Sequence, residues 1–457
     1  MSAAPADSSA TVGAIAARLE RLPSSRWQAK VLILLGTVVF FEGFDQMLVS
    51  YTLPLIKEEW SLSSFEQTAA VTAGSVGMLI GALLCGMLAD RFGRVRMVVI
   101  AILITAISSL LLMVSTDFVQ FVVLRFVQGL GIGGEVPVAA AFVSEIAKAK
   151  GRGRFVLLYE LAFPAGLTAA AVIATAIVPQ FGWRALYLIG AIPAILAFLV
   201  HRKVPESPRW LAARGDFARA EQAMRAMEEG VRKATARPLP PPVPHDDVPA
   251  ESRGRIRDLI GRKYLRRTTI VAVLWFCGYF VNYGLTAWLP TIYTSVYQIP
   301  LQTALNYTLY TSLFGFGGCV LVMLLVDRIG RKPALIIGLG VGGLLLIVLA
   351  MLGAASGLAV ALWCSVSALF IFAANICLYV YTAELYPTRV RALGVSMGGA
   401  WNRVGVILGP IVVGGLIAAG ASIAVVFAVL GGVGVAAGLV AFLGEETAGR
   451  RLEEISR

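Results

Sequence analysis

The pentapeptide Asp90-Arg91-Phe92-Gly93-Arg94 returns as Asp327-Arg328-Ile329-Gly330-Arg331, each time on a short basic link between two long apolar segments. The likeness continues down the chain. Glu145 and Arg152 close the fourth apolar segment of the first half, and Glu384 and Arg391, at the same spacing, close the fourth of the second. A weaker echo sets Pro205-Glu206-Ser207-Pro208-Arg209 after the sixth segment against Gly444-Glu445-Glu446-Thr447 after the twelfth. The chain is therefore a duplication, and repeats of this size in a polytopic protein point to a transporter.

With 58% hydrophobic and 14% charged residues and a mean hydropathy of +0.79, the chain has too little polar surface to dissolve as a globule. A bilayer-crossing helix needs about 20 apolar residues. Twelve such spans are predicted at 31–53, 67–89, 96–115, 118–143, 156–178, 182–201, 268–290, 303–326, 333–353, 357–383, 393–416 and 420–443. Backbone groups in lipid must be satisfied internally, and the runs lack the alternation of a barrel, so helices are expected. The predicted fold class is an all-α membrane protein with twelve transmembrane helices in two six-helix bundles, 31–201 and 268–443. An N-terminal segment 1–30, a linker 202–267 and a tail 444–457 complete the chain.

Arg91, Arg94, Arg96, Lys148, Lys150, Arg152, Arg154, Arg328, Arg331, Lys332, Arg389 and Arg391 all fall on links of one side, leaving Lys57 and Arg184 on the other. The positive-inside rule makes the richer side cytoplasmic, together with both termini, and the expected location is a bacterial inner membrane. The net charge of +12 is thus spread over short loops, which argues against a nucleic-acid partner. In the linker, Phe217–Met227 has helical spacing and is predicted to lie along the cytoplasmic face, whereas 237–244 is Pro-rich and extended. Residues 1–10 are expected to be disordered, and the first span serves as its own insertion signal. Cys85, Cys277, Cys319, Cys364 and Cys377 all lie in spans without metal-ligand spacing and read as packing residues. No metal or cofactor is expected. No phosphate-binding Gly-rich loop and no catalytic constellation occurs, and His201 and His245 lie in or beside the linker, so neither an ATP-driven pump nor an enzyme is expected.

Ionisable groups inside a membrane are costly, and each is a candidate site. Glu42 and Asp45 share one face of span one, and Arg125 of span four is the expected neutraliser. Glu135 and Glu160 add two more acids to the same half, so this group is assigned to proton coupling. Arg403 of span eleven has no acid within a helical turn. Its planar fork matches a carboxylate, which suggests an anionic substrate. Tyr279 and Tyr283 lie one turn apart with Asn282 beside them and offer a stacking surface. Trp401, Asn402, Phe44 and Asn375 complete the expected binding set.

The paired Asp-Arg-x-Gly-Arg loops, the run Arg125 to Gly134, Pro205 to Arg209 and Glu384-Leu385-Tyr386-Pro387-Thr388-Arg389 resemble the major facilitator superfamily over nearly the whole chain. Within it the chain resembles the sugar-porter and organic-ion branch. Gly131-Ile132-Gly133-Gly134-Glu135-Val136-Pro137-Val138-Ala139, together with Ser144-Glu145 and Glu160, is most similar to bacterial niacin permeases. The resemblance implies that Asp45 and Arg125 couple protons and that Arg403 matches the span-eleven arginine of organic anion transporters. Glu42-Gly43-Phe44-Asp45 departs from the Asp-Gly-x-Asp of aromatic-acid symporters in its first residue. Asp90, Arg91, Arg94, Glu145 and Arg152, with Asp327, Arg328, Arg331, Glu384 and Arg391, are expected to gate. The expectation is a monomeric proton symporter of a small aromatic carboxylate, nicotinate first. The alternatives are a transporter of an organic cation or zwitterion, a transporter of another aromatic acid in the same superfamily, and a non-transporting membrane sensor.

Overall fold

The computed structural model describes residues 12–23, 25–146, 160–235, 238–241 and 256–448. The expected disordered stretch 1–10, the loop with Lys148, Lys150, Arg152 and Arg154, most of the Pro-rich linker with His245, and the end of the tail lie outside them, as do the side chains of Glu145 and Arg389. Among the described residues the secondary structure is helical throughout. Eleven helical segments are long and apolar enough to cross a membrane, and Phe118–Ile146 matches them with 29 residues, about 43 Å at 1.5 Å per residue.

Several spans run longer than hydropathy predicts. Span one is Arg26–Trp60, passing through Pro54, and spans two, eight and ten are Ser64–Phe92, Leu301–Ile329 and Gly357–Leu385, each of 29 residues. Capping fixes some ends: Ser63 Oγ accepts from Glu66 N–H at 3.3 Å while Glu66 accepts from Ser63 N–H at 2.8 Å. Two spans expected to be continuous are broken. Span six divides into Trp183–Gly190 and Pro193–Lys203, and span seven into Leu265–Thr286 and Leu289–Ser295. Pro193 and Pro290 stand in the first turn of each second piece, where a missing N–H does no harm.

The duplication is visible in the packing. Span one packs on five, two on four, and three on four and six. Span seven likewise packs on eleven, eight on ten, and nine on ten and twelve. Small residues allow the closest approaches: a methyl group on Gly77 or Gly81 of span two would run into the backbone of span four at Phe126 or Leu130. The halves meet through spans two and eleven and through spans five and eight.

Each repeated motif makes the same turn. Gly93 (φ 114°) and Gly330 (φ 95°) adopt a conformation that favours glycine, between spans two and three and between spans eight and nine. A carboxylate sits over each turn. Glu206 accepts from the N–H groups of Arg94 and Val95, both at 3.0 Å, and Glu446 from those of Arg331 and Lys332 at 3.0 and 3.1 Å. Both satisfy the free donors of a helix N-terminus.

Beside the first half lies a small helical layer that the sequence only partly announces. The linker helix extends over Phe217–Thr235, and Val12–Glu20, unexpected as a helix, packs on it. Ile15, Leu19 and Leu22 join Ala220, Met224, Met227 and Val231 in one buried cluster. Arg18 bridges Glu221 and Glu228, the latter at 2.8 Å.

Candidate functional site

Glu42 lies mid-way along span one and is 3% exposed. Its Oε1 accepts from Arg403 Nη2 of span eleven at 3.3 Å. Arg403 is therefore not the unpartnered arginine that its local sequence suggests. Its acid comes from the other half of the molecule, 361 positions away. Glu384, at the end of neighbouring span ten, is engaged elsewhere: it accepts from Arg331 Nε and Nη2, both at 3.0 Å, and from Thr447 Oγ1 at 2.6 Å.

Of the two acids expected to be neutralised by Arg125, Glu42 pairs with Arg403 instead, and Asp45 feels Arg125 through space without bonding it. Arg125 Nη1 donates to Gln128 Oε1 at 2.5 Å, and Gln128 Nε2 donates to Ser109 Oγ at 2.7 Å. Arg125 otherwise lies against Gly74 of span two. Asp45 lies against Gly190, is 1% exposed, and neither of its oxygens has a hydrogen-bond partner. The two side chains belong to one neighbourhood but are unbonded in this conformation, so they are not a permanent structural pair. Glu135 turns toward span three, where Thr105 Oγ1 donates to it at 2.8 Å. Glu160, 9% exposed, begins the described part of span five within electrostatic reach of Glu42 and Arg403.

Span seven supplies an aromatic ladder. Trp275, Tyr279 and Tyr283 recur one turn apart and stack nearly parallel, with centroids 5.6 and 6.2 Å apart and interplanar angles of 7° and 15°. Trp275 is anchored by its indole N–H to Thr382 Oγ1 at 2.9 Å, and Tyr379 stands edge-on to it at 4.7 Å. The charge of Arg403 reaches Tyr279, Tyr283 and Tyr379. Asn375 Nδ2 donates to Gly278 O at 3.3 Å, directly behind the ladder, and its Oδ1 is buried without a partner. Asn282 Oδ1 is equally unpartnered and lines, with Tyr283, Tyr51, Thr311 and Ser312, a cavity of about 10 Å³, room for one water.

Not every expected binding residue joins this group. Trp401, 42% exposed, turns with Phe276 into an apolar groove of about 710 Å³ that also holds Thr269, Ala272 and Met397, whereas Arg403, two residues on, reaches Glu42. A spacing of two on a helix sends side chains to different faces. Asn402 is 8% exposed, and Phe44 is fully buried, edge-on to Phe41. Trp275 and Tyr379, members of the aromatic runs that the sequence places in spans seven and ten, join the group as well.

Away from the membrane centre, Arg94 binds Asp90 at 2.7 Å and Arg331 binds Asp327 at 2.8 Å as well as Glu384. Arg91 lies over the ring of Phe92, and Arg391 Nε donates to Tyr386 O at 3.3 Å. Arg328 stands exposed at the same turn. At the opposite face the halves are bridged: Lys57 Nζ donates to Ser295 Oγ at 2.8 Å and Gln302 Nε2 to Thr175 O at 3.2 Å. Tyr51 and Ser312 hydroxyls meet 3.4 Å apart nearer the centre. The molecule is thus joined across its halves at the centre and at the face away from the repeated motifs.

The sequence profile of the Major Facilitator Superfamily matches residues 35–410 and 324–456. The chain is 31% identical to the niacin transporter NiaP of Acinetobacter baylyi, covering 96% of this chain and 99% of that one. It is 32% identical to the putative niacin/nicotinamide transporter NiaP of Bacillus subtilis, over 93% and 98%. Its fold is similar to the partially occluded inward-open xylose transporter XylE from E. coli, with a TM-score of 0.70 at 20% identity over 93% of this chain and all of that one.

Proposed function

This chain belongs to the major facilitator superfamily, and from that membership we propose that it imports a small aromatic carboxylate, nicotinate first, by proton symport. The coarser function stands on family and relatives together: the chain is a multi-pass membrane protein and a secondary transporter of a small organic solute, working by alternating access, and not an enzyme. The finer reading puts the substrate carboxylate on Arg403 and its ring against Tyr279 and Tyr283. One arrangement carries it: a half-buried guanidinium held by Glu42 where the halves meet, together with a ladder of parallel rings on span seven. A flat monoanion satisfies both at once.

Asp45 and Arg125 are proposed to couple protons. A motion that brings them together favours release of a proton from Asp45, and one that parts them favours binding. The protein acts as a monomer of a bacterial inner membrane with both termini in the cytoplasm. The two bundles 31–201 and 268–443 rock about the central site, and the motif arginines latch and release the helix ends beside them.

Charge distinguishes nicotinate from nicotinamide, both of which occur in a relative's name. A charge-assisted hydrogen bond is worth about 1.5–3 kcal/mol, so Arg403→Ala weakens nicotinate binding by more than about tenfold. The neutral amide binds poorly to the wild type and loses little on the substitution. Equal affinities for acid and amide, or an unchanged nicotinate affinity in Arg403→Ala, would instead favour an organic cation drawn to Glu42, Asp45, Glu135 and Glu160.

A further inference from the structure

The ion pair between Glu42 and Arg403 occupies the place the substrate anion must take. We propose that Glu42 is a built-in counter-ion, which holds Arg403 while the site is empty, gives it up to the substrate carboxylate, and accepts one proton as it does so. The inference rests on the reading of Arg403 as the anion site and adds a second proton-binding group, distinct from Asp45.

Three features of the pair argue for exchange rather than for a permanent brace. It joins span one to span eleven, the two halves that must move relative to one another. It is a single contact at 3.3 Å, whereas Arg331 grips Glu384 through two nitrogens at 3.0 Å each. Two-pronged pairs are the stronger and more selective kind. Finally, the side chains are 17% and 2% exposed, so neither charge can be left alone when the other departs.

The charges around Glu42 determine the outcome of its displacement. Glu160 of span five, Glu135 of span four and Tyr283 of span seven lie within electrostatic reach of it, and Asp45 lies one turn along its own helix. Among the described residues Arg403 is the cation that acts on it. Arg403 cannot discharge by losing a proton. When a carboxylate arrives, the site gains one negative charge. One proton on Glu42 restores the balance, and the positive Arg403 then faces the substrate instead. Asp45 does not share this exchange, because its oxygens contact no donor and Arg125 is held by Gln128. An uncharged ligand offers Arg403 no replacement for Glu42 and leaves the pair closed.

Titration calorimetry of the full, detergent-solubilised chain with nicotinate, in buffers of different ionisation enthalpy, counts the protons. The wild type should take up close to one proton per nicotinate bound, and its affinity should fall about tenfold per pH unit over the range in which that count holds. Glu42→Gln should bind nicotinate more tightly at alkaline pH, with a proton count near zero and an affinity indifferent to pH. A wild-type count of zero overturns the proposal even if Glu42→Gln fails to fold. A wild-type count that survives in Glu42→Gln overturns it as well and returns the proton to Asp45. Failure of the wild type to bind nicotinate at all overturns the substrate reading beneath it, an outcome distinct from binding without proton uptake.

Discussion

Arg403 shows what a linear reading can and cannot find. Its presence in a membrane span marks it as a site residue, but spacing along one span can only propose partners a helical turn away. The partner is Glu42 in the opposite half, and nothing in local spacing encodes a contact across 361 positions. Asp45 and Arg125 carry the reverse lesson: their identities and burial are legible, and their separation is not, because it belongs to one conformation of a moving molecule. Trp401 is misplaced by proximity in sequence to Arg403, although two residues apart on a helix is a change of face. For Asp45 the unbonded carboxylate yields a prediction. Asp45→Asn removes no hydrogen bond present in this state, so the protein should fold and still exchange substrate across the membrane at near wild-type rates. Accumulation driven by a one-unit pH gradient should fall by up to about tenfold, the most that the one proton carried by Asp45 can sustain. Parallel counterflow and gradient-driven uptake assays separate the two. Retained accumulation in Asp45→Asn would remove this residue from coupling.

At the scale of elements, apolar length announces the spans but not their breaks. Pro193 and Pro290 are plain in the sequence, yet Pro54 and Pro410 lie inside unbroken helices, so a proline alone does not mark a break. The helix Val12–Glu20 escapes notice for a different reason. A nine-residue helix is not stable alone, and its stability comes from docking on the linker helix, a tertiary effect. That docking rests on Ile15 and Leu19 and on the bridges of Arg18 to Glu221 and Glu228. Hydrogen bonding to Arg18 holds Glu221 below the ordinary value of 4.5. Burial pushes Glu228 up, but bonds from Arg18 and Arg21 outweigh it and the net shift is again downward. A carboxylate lowered in the folded state stabilises it above the ordinary value, and that stabilisation is lost as pH falls through the lowered one. Amide exchange over 12–20 and 217–235 should therefore be pH-independent in protection above the ordinary value of 4.5 and should lose protection as pH falls below it. Arg18→Ala should raise exchange there several-fold at pH 7 while leaving the spans unaffected. Unchanged protection would show that the apolar contacts alone hold the helix.

For the whole molecule, the duplication read from two pentapeptides extends to the order in which helices pack, to the glycine turns at Gly93 and Gly330, and to the carboxylates of Glu206 and Glu446 over them. Two similar halves meeting around Glu42, Arg403 and the span-seven rings, and bridged at the face away from the motifs, form the framework for alternating access. What such a framework carries is a question of charge and coupling together. The most direct test is uptake of labelled nicotinate into liposomes containing the purified chain, under an imposed inwardly directed proton gradient. The expected result is accumulation above equilibrium that collapses with a protonophore and is abolished by Arg403→Ala. Uptake no greater than in protein-free liposomes, or uptake indifferent to the gradient, would contradict proton-coupled import of this anion.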